Sequence, residues 1–183
     1  MIYFPLFDEW SATNLSSISF HEYTESYLEA VRHTYNYFVE HTTVSFDMEP
    51  LTTEQMSLAI QPLHDRYRSH VVCIDGRYAG YMLITQHKKK AAFNPTGEVT
   101  IYLNPEETGK GLGSHSLQFV EDTARELGFH SLIATICSEN TASISLFTRY
   151  GYEQAAHYKE VGFKFGRWLD IVTYQKLLND CIE

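Results

Sequence analysis

Ile18 and Phe20 alternate with polar neighbours, the two-residue period of a strand with one covered face. From Thr24 the period lengthens, and Leu28, Val31, Tyr35 and Phe38 fall on one side of a helix. Thr52 and Gln55 have the spacing of a capping box. Met56, Ile60, Leu63 and Tyr67 line the inner face of the helix it predicts, which Pro62 should kink or split. The short period returns at Val71–Ile74 and Tyr78–Ile84, and Asp75-Gly76 between them supplies the positive-φ turn of a hairpin. Residues 86–97 read as a polar, lysine-bearing loop, followed by a strand at Glu98–Leu103. A helix is predicted from about Ser114, with Leu117, Val120, Ala124 and Leu127 inward and Gly128 as its stop. Ser131–Cys137 is nearly continuously apolar, as in a strand covered on both faces. A short helix at Thr141–Tyr150, closed by Gly151, and strands near 152–160 and 168–177 complete the chain. The order β-α-α-β-β-β-α-β-α-β-β predicts a mixed α/β sheet.

Composition narrows the function. The 183 residues fit one domain, here residues 17–183, preceded by an irregular extension at 1–16 that contains Trp10. Hydrophobic residues at 44% exclude a disordered chain. Lys and Arg number 14 against 23 Asp and Glu, a net −9. That balance argues against a broad nucleic-acid or anionic-membrane surface, and the longest basic run is only Lys88-Lys89-Lys90. Cys73, Cys137 and Cys181 form no C-x-x-C pair, and the nine histidines show no ligand spacing, so no metal is expected. No apolar run approaches 18 residues, and Met1–Pro5 lacks a signal peptide's basic region; a soluble cytoplasmic protein is expected.

The chemistry concentrates in Thr108-Gly109-Lys110-Gly111-Leu112-Gly113-Ser114, between a strand and a helix. Glycines let the backbone turn tightly and approach a ligand, and the helix start offers unpaired N–H groups to an anion. A tight turn without a ligand is the competing reading. The string is neither G-x-x-x-x-G-K-[ST] nor the G-x-G-x-x-G of an early βαβ unit. A loop ending x-x-G-x-G after a strand matches instead the pyrophosphate loop of coenzyme A-dependent acyltransferases.

With these residues in view, the chain resembles the Gcn5-related N-acetyltransferase (GNAT) superfamily, and within it the phosphinothricin and methionine sulfoximine N-acetyltransferases. The resemblance runs from about residue 20 to 178. It rests on residues 37–50, Gly80-Tyr81, residues 98–103, the glycine loop, residues 139–144 and residues 161–170. It implies a mostly antiparallel central sheet with splayed central strands and helices on both faces. It implies acetyl-CoA as cosubstrate, with Ile101, Tyr102 and Leu103 beside the pantetheine arm and Thr108, Gly109, Lys110, Gly111, Leu112, Gly113 and Ser114 around the pyrophosphate. Asn140 would reach the cofactor's lower arm. Glu98 would be the general base, and Phe46 with Lys88 and Lys90 would border a small amino-acid-like amine acceptor. Relatives are commonly homodimers.

Physical chemistry supports the base assignment. An aliphatic amine, with a pKa of about 10, is mostly protonated near neutral pH and must lose a proton to attack a thioester. Glu98 begins a strand, where a solvated carboxylate is the alternative; Asn140 is equally placed to cap the helix at Thr141. Phe163, Phe165 and Trp168 read as core or dimer surface, and Arg167 with Asp170 as an ion pair or substrate groups. Two features depart from the family pattern. Thr108 stands where Gln or Arg is usual, with Glu106 and Glu107 before it, and Phe147 stands where many relatives carry a proton-donating Tyr or His. Water, Tyr150 or direct thiolate release would then serve the leaving group. A non-catalytic acyl-CoA-binding protein and a peptide or protein N-acetyltransferase are the alternatives to a small-molecule enzyme.

Overall fold

A computed structural model describes residues 17–178; the proposed extension at 1–16 and Cys181 lie outside the described residues. The chain forms β1 (Ile18–Glu22), α1 (Leu28–His41), α2 (Thr53–Ile60), β2 (Arg68–Ile74), β3 (Arg77–Gln86) and β4 (Thr96–Leu103). Then follow α3 (Leu112–Glu126), β5 (Ser131–Cys137), α4 (Thr141–Arg149), β6 (Glu153–Lys164) and β7 (Arg167–Leu177). The seven strands make one sheet in the order β1-β2-β3-β4-β5-β7-β6. Every neighbouring pair is antiparallel except β4 and β5, which run parallel. The element order and the expected mostly antiparallel sheet are both present.

Strand alternation sorts the core onto two faces. Val71, Cys73, Tyr81 and Leu83 meet Leu28 and Val31 of α1 and Met56 and Ile60 of α2. Val72, Met82, Ile84, Val99, Leu132 and Ala134 meet Leu117, Val120 and Ala124 of α3 and Phe147 of α4. Helices thus cover both faces. The capping box forms: Thr52 Oγ1 accepts from the Gln55 N–H, and the Gln55 side chain accepts from the Thr52 N–H. Asp75 (φ 49°) and Gly76 (φ 74°) make the tight turn between β2 and β3.

Three expectations need correction. The second helix stops at Ile60 instead of continuing to Tyr67, because Pro62 has no N–H to carry it on. Leu63 is therefore 82% exposed, and Tyr67 is buried on the opposite side of the sheet, beside Phe129 at 6.3 Å. The third helix begins at Leu112, two residues early, because Gly111 takes the left-handed conformation that opens it. Phe163, Phe165 and Trp168 are more than half exposed in the single chain, so they are not core. The hairpin they sit on is longer than expected, reaching Lys164 before the turn and restarting at Arg167. Among the described residues no helix is long and apolar enough to cross a membrane, no acidic, histidine or cysteine group could hold a metal, and Cys73 and Cys137 are free and buried.

One charged cluster lies inside the fold. Glu121 of α3 is 1% exposed and accepts from Lys176 Nζ at 2.7 and 2.8 Å and from Arg125 at 3.1 Å. It ties the helix to β7 across the sheet. Removing the carboxylate leaves a half-buried ammonium without a partner. Glu121→Ala should therefore lower the unfolding free energy by about 3 kcal/mol, at the low end of buried-pair losses because Lys176 keeps some contact with water. A urea titration followed by tryptophan fluorescence checks this through a lowered midpoint.

Candidate active site

The cleft begins where two strands stop pairing. β4 and β5 share three register pairs, Thr96↔Ser131, Gly97↔Leu132 and Glu98↔Ile133, and then diverge. Beyond that point β4 remains bonded to β3 on its other edge and β5 to β7 on its own. Val99–Leu103 and Ala134–Cys137 consequently present unpaired main-chain N–H and C=O groups to a shared opening. That opening is a cleft of about 420 Å³, and its walls include Ile101, Tyr102, Leu103, Thr108, Gly109, Gly111, Gly113, Ser114, Asn140 and Phe147.

At the wide end lies the glycine loop. Gly109 (φ 76°) and Gly111 (φ 83°) take left-handed backbone, and a Cβ built on either meets no protein atom within 4 Å. The N–H groups of residues 109–113 donate to no backbone or side-chain acceptor among the described residues. Five amides and the positive end of α3 therefore converge on open space, the arrangement that binds a phosphate group. Lys110 turns away from the cleft to Glu107 at 2.9 Å, which pairs one of the two carboxylates ahead of the loop; Glu106 is exposed. Leu112 contributes its backbone only, since its side chain is buried in the core. Asn140 does what the capping alternative foresaw: its Oδ1 accepts from the Ser143 N–H at 3.1 Å, while the residue also lines the cleft.

Glu98 occupies the last register pair before the strands part, next to Val99 of the cleft wall, and is not itself among the lining residues. Its Oε1 accepts from Thr135 Oγ1 at 2.7 Å, and its Oε2 lies 3.3 Å from His87 Nδ1. Thr135 lines the cleft, so it links the carboxylate to the opening. Neither partner was singled out from the sequence. Thr135 is the polar exception in the apolar run Leu132–Cys137, a signal that was there to read; His87 was one of nine histidines.

Aromatic packing and a buried ammonium build the roof over this end. Tyr102 stacks on Tyr81 (5.5 Å) and meets Tyr35 (5.4 Å) and Phe38 (5.2 Å). Burial, reinforced by the hydrogen bond to Asp47, pushes the Tyr35 hydroxyl up to about 12, so it stays a neutral phenol. The segment after α1 is clamped to the β6–β7 hairpin. Lys164 Nζ donates to Ser45 O at 2.8 Å, and the Phe46 ring fills the space over Gly162, where a Cβ would lie 2.6 Å away. Desolvation pulls Lys164 below the ordinary lysine range. Arg167 pairs with Glu139, whose Oε2 also accepts from Thr43 Oγ1 at 3.0 Å, and this holds the Glu139 carboxyl low.

The expected Arg167–Asp170 pair does not form: Arg167 reaches across to Glu139, and Asp170 bonds His157 at 2.7 Å on the adjacent strand β6. Phe46 and the exposed Lys88 and Lys90 lie outside the cleft walls. Phe147 is buried edge-on against Tyr152 (4.9 Å), and Tyr150 packs on the core away from the cleft, so neither places a proton donor in it.

The split parallel pair and the open glycine loop leave a cleft that could take an extended anionic ligand, and comparison with known proteins gives the family. The chain belongs to the GNAT family of acetyltransferases, whose sequence profile matches residues 26–152. It is an acyltransferase of the acetyl-CoA-dependent N-acetyl class, with acetyl-CoA as cosubstrate. A phosphinothricin N-acetyltransferase of Streptomyces coelicolor is 32% identical over 158 residues, covering 84% of this chain and 92% of that one. An L-methionine sulfoximine/L-methionine sulfone acetyltransferase of Salmonella typhimurium is 33% identical over 153 residues, covering 82% and 89%. The solved phosphinothricin acetyltransferase of Sinorhizobium meliloti, in complex with acetyl-CoA, superposes with a TM-score of 0.83 at 27% identity, covering 87% of this chain and 88% of that one. The free amides at 109–113 and the unpaired edge of β4 are the features here that fit such a cosubstrate.

The cradle makes a direct prediction. A valine at position 111 must either hold a left-handed conformation costing about 1–2 kcal/mol or give up the amide arrangement. Gly111→Val should weaken coenzyme A binding about tenfold or more, by calorimetry, with the melting temperature lowered by only a few degrees, as the backbone strain alone would give.

Proposed function

We propose that this enzyme transfers the acetyl group of acetyl-CoA to the amino group of a small amino-acid-like acceptor, of the phosphinothricin or methionine sulfoximine kind, by direct attack in a ternary complex. The observation that carries this reading is the placement of Glu98 in the last β4–β5 register pair, where the strands begin to part, with its carboxylate hydrogen-bonded to Thr135 of the cleft wall. Glu98 is the general base. Thr135 holds Oε1 and His87 approaches Oε2, and it is a remaining lone pair of Oε2 that takes a proton from the incoming ammonium, directly or through one water.

The freed amine adds to the thioester carbonyl. As the carbon–nitrogen bond forms, the oxygen gains charge, and main-chain donors on the unpaired edge of Val99–Leu103 stabilise it. The carbon–sulfur bond then breaks. A thiol pKa near 8.5 makes the thiolate a fair leaving group, so the absence of a donor at Phe147 is tolerable. Thr108 and residues 109–114 hold the diphosphate, with Asn140 on the opposite wall. Phe46, fixed over Gly162, and the Lys88–Lys90 loop border the acceptor's approach, with the lysines as contacts for its carboxylate. The amino-acid acceptors named for the related enzymes support this choice.

The reading includes a homodimer. Val161, Phe163, Phe165 and Trp168 are each more than half exposed on the terminal hairpin of the sheet, with Phe163 and Trp168 in edge-to-face contact at 5.0 Å. An exposed aromatic group at a sheet edge is the kind of surface a second copy covers. Trp168→Glu should convert the dimer to monomer in multi-angle light scattering; a wild-type chain already monomeric at assay concentration removes the dimer.

The chemical step is tested by thiol release from acetyl-CoA with a panel of amino acids, including L-methionine sulfoximine, phosphinothricin and short peptides. Binding without release for any amine would favour a non-catalytic carrier, and release with peptides alone a peptide acetyltransferase. Glu98→Gln should lower the rate about a hundredfold at pH 7, where the amine is protonated, and much less at pH 9.5, where much more of it is neutral. An equal loss at both pH values removes Glu98 from the base role.

A further inference from the structure

A base that takes a proton on each turnover must be emptied before the next one, and the residues around Glu98 differ in their capacity to do this. Thr135 spends its only proton on Glu98 Oε1 and so orients the carboxylate without discharging it. The other oxygen, Oε2, faces His87 Nδ1 at 3.3 Å. His87 follows directly on β3, whose Thr85 is the register partner of Glu98, so the ring is delivered to the carboxylate by the sheet itself. Its ring lies edge-on to Phe93 at 6.2 Å, and the side chain keeps 19% of its surface exposed against 28% for Glu98. Nε2 has no protein partner among the described residues. Glu98 from β4 is the titratable group bonded to the ring; Lys88, next in the chain, is exposed, and no ionisable side chain of the helices or of β5 and β7 is bonded to it.

We propose that His87 is the proton exit for Glu98: a positioning and relay residue that returns the base to its carboxylate form between turnovers. The inference rests on the reading of Glu98 as base. In the neutral ring with Nε2–H and a bare Nδ1, the protonated Glu98 transfers its proton to Nδ1, and Nε2 releases its own to water. The ring ends neutral as the other tautomer and the carboxylate ends charged, so one proton has passed from site to solvent. Return of the ring to its first tautomer proceeds through water. A side chain that only fills space beside Phe93 would have no need of a nitrogen at this place, which separates the two roles by experiment.

The test compares wild type with His87→Phe, which keeps the aromatic contact with Phe93, His87→Asn, which keeps a donor near Glu98 but cannot relay, and Glu98→Gln. Thiol release is followed at pH 7 in dilute buffer with acetyl-CoA and L-methionine sulfoximine, after melting curves show that each variant folds. Both histidine variants should lose about tenfold in kcat, less than removal of the base itself, with KM within about twofold. Tens of millimolar imidazole should restore most of that loss, and His87→Phe should add nothing in the Glu98→Gln background. Wild-type kcat in His87→Phe, or a loss that imidazole leaves untouched, overturns the relay. A silent Glu98→Gln overturns the base reading instead, and absence of turnover overturns both. Independently of turnover, the ¹⁵N resonance of His87 Nδ1 should move in Glu98→Gln and stay in Lys88→Ala; an unmoved resonance removes the pairing.

Discussion

The structure depends on a hydrogen-bond ladder that is left incomplete. Parallel pairing between β4 and β5 ends at Glu98↔Ile133, although both strands continue for several residues. Open main-chain groups in the middle of a sheet are costly unless something else satisfies them. They are affordable here because β3 and β7 hold the outer edges of the two strands and α3 and α4 cover the inner face. What remains is a slot with donors and acceptors on its walls, shaped for an extended chain of amide groups such as a pantetheine arm.

Other features follow from that slot. The direction of β4 brings the glycine loop to the mouth of the cleft, so the amides at 109–113 open onto the same space as the strand edges. Glu98 falls beside the point where the slot begins because it occupies the last paired position. The overall charge of −9 would repel an anionic cosubstrate at long range, a screened field against which local main-chain donors act only at short range. The segment after α1 is built differently: Lys164, Arg167 and the Phe46–Gly162 contact tie it to the β6–β7 hairpin, so its geometry belongs to the hairpin as much as to the loop.

Much of this was legible in the residue pattern. Periodicity located every strand and helix, the Thr52–Gln55 spacing located a real cap, and the glycine loop identified itself by its place between strand and helix. Glu98 was legible only with a family resemblance, because a strand-initial glutamate is ordinarily just solvated. Errors came where two local signals competed. Leu63 and Tyr67 kept helical spacing past Pro62, and the proline prevailed because it removes the donor the next turn requires. Arg167 and Asp170 are near in sequence, yet each bonds across to a different element.

By itself the chain order determined a two-faced α/β sheet and a glycine-rich turn between a strand and a helix, since these depend on local period and composition. Only the folded arrangement decided that Thr135 and His87 flank Glu98, that Arg167 reaches Glu139, and that Lys164 is spent on Ser45. Each of those contacts joins residues far apart in the chain, and no local rule couples them. The strands set their neighbours through register, and register is a property of the whole sheet.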